Sequence, residues 1–449
     1  MKLYKLVFAI LFLVISGKTA IAQVFPDQHF VIRGIDELAM YEDSSVNISY
    51  NSQTNSIELK EGFTQGFYIS KPLSFPQKFN RGLPSWNGHA PEGQKSSFRV
   101  SMRFKMFYGW SKWVTVGFWD KYIWTYYGST VFDGGKVSID YVKLDVYVSE
   151  YQYKIEFKRT NKDFVPPSIK QLSFFVSDSK TTDEVIISQL VEDNPPAIFI
   201  PTNFVYQYGV DPVIGKRICS PSSLSMIIQS FGYDVDTYDF AVRTRDPYWD
   251  IFGDWPRGVQ SASEYGLTGS VTRYRRWTEA YDVLKDGGRI AITVGPPLFS
   301  GHLMMLAGFD ENGNPLLHNP ARTDGYGIAY DKKQISESWF NKGGISYTFY
   351  DENSPLASSE LKVEEKDNIS IYPNPFFDKL NIEFESTTGQ KTEIKLYNTL
   401  GQLVYEKKFI QSEHTYQLDT SDKIRRGSYI MNISSKGKNV TKLVIKESN

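Results

Sequence analysis

Apolar and polar residues alternate strictly through two stretches of the first half of the chain. Phe98, Val100, Met102, Phe104 and Met106 are separated by Arg99, Ser101, Arg103 and Lys105. Tyr151, Tyr153, Ile155 and Phe157 are separated by Gln152, Lys154, Glu156 and Lys158. A period of two predicts strands buried on one face. Asp133-Gly134-Gly135 is a turn signal between such runs. Residues 23–190 therefore read as an all-β sandwich. At Pro195-Pro196 the period changes. Leu224, Ile227, Ile228 and Phe231 follow helical spacing, and Gly232 supplies a stop. Thr278 can cap a second helix that ends before Gly287. Ile290–Val294, Leu303–Phe309 and Pro315–Leu317 then read as strands, the last two joined by a hairpin turn over 310–314. Residues 195–350 form an α+β domain on this reading, helices first and an antiparallel sheet after.

Residues 351–367 are polar, acidic and without periodicity, which predicts a linker. Residues 368–449 return to alternation. Ile394 and Leu396 precede a turn at 399–402, Tyr429, Met431 and Ile433 share a face, and Leu443 and Ile445 return after Lys436-Gly437. A small separate β-sandwich is expected there.

The start of the chain breaks from all of this. Lys2 and Lys5 precede an apolar run from Leu6 to Ile15, and Ala20-Ile21-Ala22 fits an A-x-A cleavage site, so 1–22 read as a secretory signal peptide. The apolar run is too short for a comfortable membrane span, and no other stretch approaches one, so the mature chain is expected to lack a transmembrane segment. No cysteine follows the cleavage site, which excludes a lipoprotein anchor. The formal net charge is −1 with both signs mixed, which argues against nucleic acid as a partner. Aromatics reach 15%. Trp110, Trp113, Trp119 and Trp124 are concentrated in one region, where they either pack a core or form a surface for a glycan.

Export changes the meaning of Cys219, the one cysteine of the chain. An exported lone thiol cannot pair internally, so it is either buried or used. Ser220 can cap the helix that follows and Pro221 suits its first turn, so the sulfur is expected at the positive end of a helix dipole, where a thiol's pKa falls. A nucleophilic thiol also needs an imidazole. Five histidines exist, and His302 opens an apolar strand. If the two strands pair about the 310–314 turn, positions near 302 and 319 face each other, and Asn319 can hold the His302 ring. No paired-cysteine or H-x-x-x-H spacing marks a metal site, no phosphate loop is present, and no cofactor is expected.

The run Cys219-Ser220-Pro221-Ser222-Ser223, then Gly301-His302-Leu303-Met304-Met305-Leu306-Ala307-Gly308-Phe309-Asp310, then Leu317-His318-Asn319-Pro320 resembles the bacteriocin-leader-processing family of papain-like cysteine peptidases. The resemblance implies a papain-like fold for the central domain and thiol-dependent hydrolysis of a peptide or protein substrate. Gln207, twelve residues before Cys219, matches the glutamine that completes the oxyanion hole in that superfamily. Ser220 stands where the family has glycine, and Asn319 where it usually has aspartate. Ser85-Trp86-Asn87-Gly88-His89-Ala90-Pro91-Glu92-Gly93 resembles the sandwich that precedes this domain in other secreted bacterial proteins. Tyr372-Pro373-Asn374-Pro375-Phe376, Leu396-Tyr397-Asn398-Thr399-Leu400-Gly401 and Gly427-Ser428-Tyr429 resemble the type IX secretion sorting domain. That implies passage through the outer membrane by the type IX machinery, removal of the last domain, and release or attachment at the cell surface. Two other readings compete: a non-catalytic surface binder of glycan or protein, and an amidase or acyltransferase on the same fold.

Overall fold

The computed structural model describes residues 24–353 without 92–94, 120–122, 125–127 and 184, together with 369–374, 376–384, 389, 391–397, 403–420, 424–435 and 438–446. The segment read as a signal peptide, most of the expected linker and the turns expected at 399–402 and 436–437 lie outside these residues. By contacts the chain divides into two compact units, Met1–Glu360 and Leu361–Asn449.

The N-terminal part of the first unit is built on two long strands. Leu73–His89 pairs antiparallel with Ser168–Ser177 on one side and with the first part of Tyr141–Arg159 on the other. The second part of Tyr141–Arg159 leaves that partner and pairs with Gln65–Ser70 and Ser96–Met106. The alternation read at 98–106 and 151–157 holds: Phe98, Val100, Phe104, Tyr151, Ile155 and Phe157 are all buried. Trp86 lies at the centre, and a side chain on Gly117 would collide with its indole, so that strand approaches only as glycine. Each such large apolar side chain contributes roughly 1.5–3 kcal/mol on burial. A short helix, Gly34–Met40, interrupts the expected all-β run.

The second part of the unit wraps helices about one antiparallel sheet. Its strands are ordered Leu267–Arg273, Ile345–Asp351, Arg289–Val294, His302–Phe309, Pro315–His318 and Ile328–Ala329, with Ile198–Phe199 also pairing His302–Phe309. The helix Cys219–Ser230 packs against the His302 strand and is buried on nearly every side from Ser220 to Ile228. Small serines permit that closeness: Ser223 Oγ donates to the Leu303 carbonyl at 3.0 Å.

Three local expectations need correction. Ser220 is not the helix cap, because Cys219 is already helical and Ile218 occupies the cap without a side-chain bond. Thr278 does not cap its helix either: Trp277–Lys285 starts one residue earlier, and the Asp193 carboxylate accepts the Thr278 N–H at 3.0 Å. The turn at 310–314 is present, held by Asp310, whose carboxylate accepts the N–H groups of Asn312 and Asn314. The register differs by two: Met305 faces His318 and Leu306 faces Leu317, with a bulge before Gly308. An extra residue on one strand shifts pairing and re-aims the strand end.

The second unit holds a three-stranded sheet, Ile369–Tyr372, Lys379–Phe384 and Thr415–Asp419, and a four-stranded sheet of Leu403–Ile410, Lys391–Tyr397, Gly427–Ser435 and Lys438–Lys446. Ile394, Leu396, Tyr429, Met431, Ile433 and Val444 contribute to its core.

Candidate active site

Cys219 is the first residue of its helix and is half-buried. The backbone N–H groups of Ser220, of Cys219 itself and of Leu303 bear on its sulfur and favour the thiolate. Leu303 follows His302, so the sulfur lies beside the start of the His302 strand. That strand begins at the imidazole, whose position is fixed from three sides. Val294 pairs with it across the sheet, Phe299 lies 4.9 Å from the ring, and Asn319 Oδ1 is 2.8 Å from Nε2.

Asn319 is almost fully buried, and every polar atom of its side chain has a partner. The Ala321 N–H donates to Oδ1 at 2.9 Å, and Nδ2 donates to the Tyr330 hydroxyl at 2.7 Å. Its main-chain N–H donates to the Gly325 carbonyl. Gln207 lies next along this wall, because its N–H donates to the Pro320 carbonyl at 2.8 Å. One N–H of its side-chain amide is bound to the Gly215 carbonyl at 2.8 Å, and Oε1 is buried without a partner. The structure thus brings Cys219, His302, Asn319 and Gln207 to one edge of the sheet.

The electrostatics differ from the expectation at Cys219. Burial pushes the thiol up, and the three N–H groups and Lys342 only moderate this. Burial likewise holds His302 below its ordinary value, with Lys342 acting in the same direction against the Asn319 bond. Both shifts act against the charged forms, thiolate and imidazolium.

Three features near the site escaped sequence reasoning. Lys342 follows the helix Lys332–Phe340, donates to the Val294 carbonyl at 3.4 Å, and places a positive charge near the sulfur. Nothing in its sequence context marks it. Tyr330, the second partner of Asn319, belongs to no motif. Asp140 comes from the N-terminal β part: its carboxylate accepts the Trp255 N–H at 2.9 Å at the start of the helix Trp255–Ser263. Ser220 itself contacts the buried Tyr347 hydroxyl at 3.3 Å. Among the described residues no cluster of His, Cys, Asp and Glu could hold a metal ion.

Comparison with known proteins matches three stretches of the chain to families. Residues 199–347 match the Peptidase_C39 like family, residues 32–177 the Peptidase C39 N-terminal domain, and residues 370–447 the secretion system C-terminal sorting domain. The sorting domain indicates secretion to the cell surface through the type IX system. No helix of the described residues is long and apolar enough to cross a membrane. The ulvan lyase NLR42 of Nonlabens ulvanivorans is 32% identical over 94 residues, which span 20% of this chain and 17% of that protein. PorZ, a surface component of the type IX secretion system of Porphyromonas gingivalis, aligns over 35% of this chain and 25% of its own at 10% identity and a TM-score of 0.16. A Faecalibacterium prausnitzii beta-glucuronidase aligns over 90% and 40% at 8% identity and the same TM-score. Scores this low establish no common fold.

Proposed function

We propose that this is a secreted cysteine peptidase of papain-like type, hydrolysing peptide or amide bonds with Cys219 as nucleophile, His302 as acid and base, Asn319 as the group that orients the ring, and Gln207 as an oxyanion donor. The match of residues 199–347 to a peptidase family supports the class. One observation carries the residue roles. Because the Ala321 N–H donates to Asn319 Oδ1, that atom is an acceptor, and His302 Nε2 facing it must carry the ring proton. The lone pair is then on Nδ1, the nitrogen left to take a proton from the thiol.

The chemistry follows from that tautomer. As sulfur attacks the carbonyl carbon, Nδ1 takes the thiol proton, and the imidazolium is stabilised through Nε2 by Asn319 Oδ1. The second N–H of the Gln207 amide and the N–H groups at the helix start are the available donors for the oxyanion. The imidazolium returns its proton to the leaving amine. Water then adds to the thioester, giving its proton to Nδ1, and the acid product leaves as the thiol re-forms.

The test is cleavage of a peptide library by the purified chain, read by mass spectrometry. His302→Ala is expected to lower kcat/KM by about 10²–10⁴. Asn319→Ala is expected to cost about 10², because the ring loses its orientation and not its base. Gln207→Ala is expected to cost roughly 10²–10³ if it donates to the oxyanion. Undiminished cleavage by His302→Ala would overturn the assignment.

A further inference from the structure

The sandwich carries a cavity of about 470 Å³ remote in sequence from Cys219. Its floor is the outward face of three paired strands. In successive rows across them, Ile69 faces Lys154, Phe67 faces Glu156 and Gln65 faces Lys158. Trp113 and Trp124 line it together with Val46 and Asn47. Both indoles and Phe67 are only partly buried, so apolar ring faces stand in a groove of polar side chains.

The charges of the groove do not cancel. Among the described lining residues Glu156 is the one carboxylate, and it is shared by Arg99 at 2.9 Å and Lys154 at 3.3 Å. Lys158 has no carboxylate partner among the described residues: its ammonium donates to the Ile123 carbonyl at 3.2 Å and lies 5.6 Å from the Trp124 ring. Arg103 lies 4.6 Å from the Trp113 ring and Arg99 4.5 Å from the Trp124 ring, so each indole has a cation against it. The result is a groove lined by two indoles and, among its described residues, more cationic than anionic side chains.

Backbone pairing cannot supply recognition here. Gln65–Ser70, Tyr141–Arg159 and Ser96–Met106 are each paired on both sides, so the floor strands offer no edge to an extended peptide, and among the described residues the one edge strand at the groove, Glu42–Val46, reaches its lining only at Val46. A ligand must be held by its rings and its charge. The apolar C–H face of a pyranose stacks on an indole, and a carboxylate on the sugar meets Lys154 or Lys158. A uronate supplies both in one residue.

We propose that the groove between Trp113 and Trp124 binds acidic, uronate-bearing oligosaccharides. The full chain is run by affinity electrophoresis through gels containing polygalacturonate, neutral galactan or poly-glutamate. Retardation by polygalacturonate, weakening with added salt, is expected. Lys158→Gln is expected to weaken it by about tenfold, the loss of one charged contact. Trp113→Ala is expected to weaken it by about thirtyfold, as for a buried aromatic anchor. Lys158→Gln lies on the surface, and an unchanged melting temperature separates a lost contact from a lost fold. Equal retardation by galactan would overturn the role of charge. Equal retardation by poly-glutamate, lost in the same variants, would assign the groove to acidic peptides and overturn the saccharide. No retardation by polygalacturonate would overturn the proposal outright.

Discussion

At the scale of residues, the thiol shows two opposed effects of one placement. A helix start offers N–H groups that favour a thiolate, and the sequence position of Cys219 predicts that benefit. The same placement encloses the sulfur under the His302 strand, and loss of hydration outweighs the N–H groups. Alkylation of Cys219 by iodoacetamide is therefore expected to show a pH midpoint above the free-cysteine value of about 8.5. His302 acts in the opposite sense. Its folded value lies below the ordinary one of about 6.5, so it remains a neutral base as pH falls past that point. Cleavage measured against pH is expected to persist below pH 6.5 and to fail only at lower values. A thiol midpoint well under 8.5 would restore the lowered thiol expected from the helix start.

At the scale of elements, the motif Ser85–Ala90 has a structural explanation. On that strand Trp86 packs into the core of the N-terminal β part, and its neighbours Ser85 and Asn87 bond to the strand Leu267–Arg273 of the C39-like part. Asn87 Oδ1 accepts the Gly269 N–H at 2.9 Å, and Nδ2 donates to the Gly269 carbonyl at 2.8 Å. A side-chain amide thus pairs with a strand edge as a backbone would. Ser85 accepts the Val271 N–H, the Gly88 carbonyl accepts from Gln260, and the Ala90 carbonyl from Arg243. Asn87→Ala leaves both buried groups of Gly269 without this partner. It is expected to destabilise the first unit by about 1–3 kcal/mol, read as a lower urea midpoint at unchanged slope. The elements themselves were legible wherever the period was long, as at 98–106, 151–157 and 219–230. Caps were less legible. Ser220 and Thr278 have capping chemistry, yet the positions went to Ile218 and to Asp193 from another segment, because tertiary neighbours can satisfy a helix end as well as local residues can.

At the scale of the whole molecule, the N-terminal β part and the C39-like part of the first unit share buried polar groups that neither holds alone. Arg257 is almost fully buried on the helix Trp255–Ser263. It donates to the Phe118 and Trp119 carbonyls of the sandwich at 3.0 and 2.9 Å, and to the Arg245 carbonyl at 3.0 Å. Asp140 reaches the same helix, and burial with nearby Asp246 pushes its carboxyl up to about 7. A carboxyl raised above its unfolded value of 3.8 keeps its full stability below that value and loses it as pH rises through about 7. Asp140→Asn mimics the protonated form. It is expected to flatten the fall in melting temperature between pH 4 and about pH 8, and an unchanged fall would remove Asp140 as its source.

Periodicity, a lone exported thiol and the strand pairing about one turn pointed to the strands, the buried helix, Cys219, His302 and Asn319, because these signals are local in the chain, whereas Gln207 came only from the family resemblance. The 302–319 juxtaposition was also legible, although the observed register lies two residues away, and His302 and Asn319 meet through their side chains. What lay beyond the sequence was everything set by distant partners: the raised thiol, the Lys342 charge, the Asp140 contact and the pairing role of Asn87. Burial and cross-domain hydrogen bonds depend on which surfaces meet, and only the tertiary structure decides that.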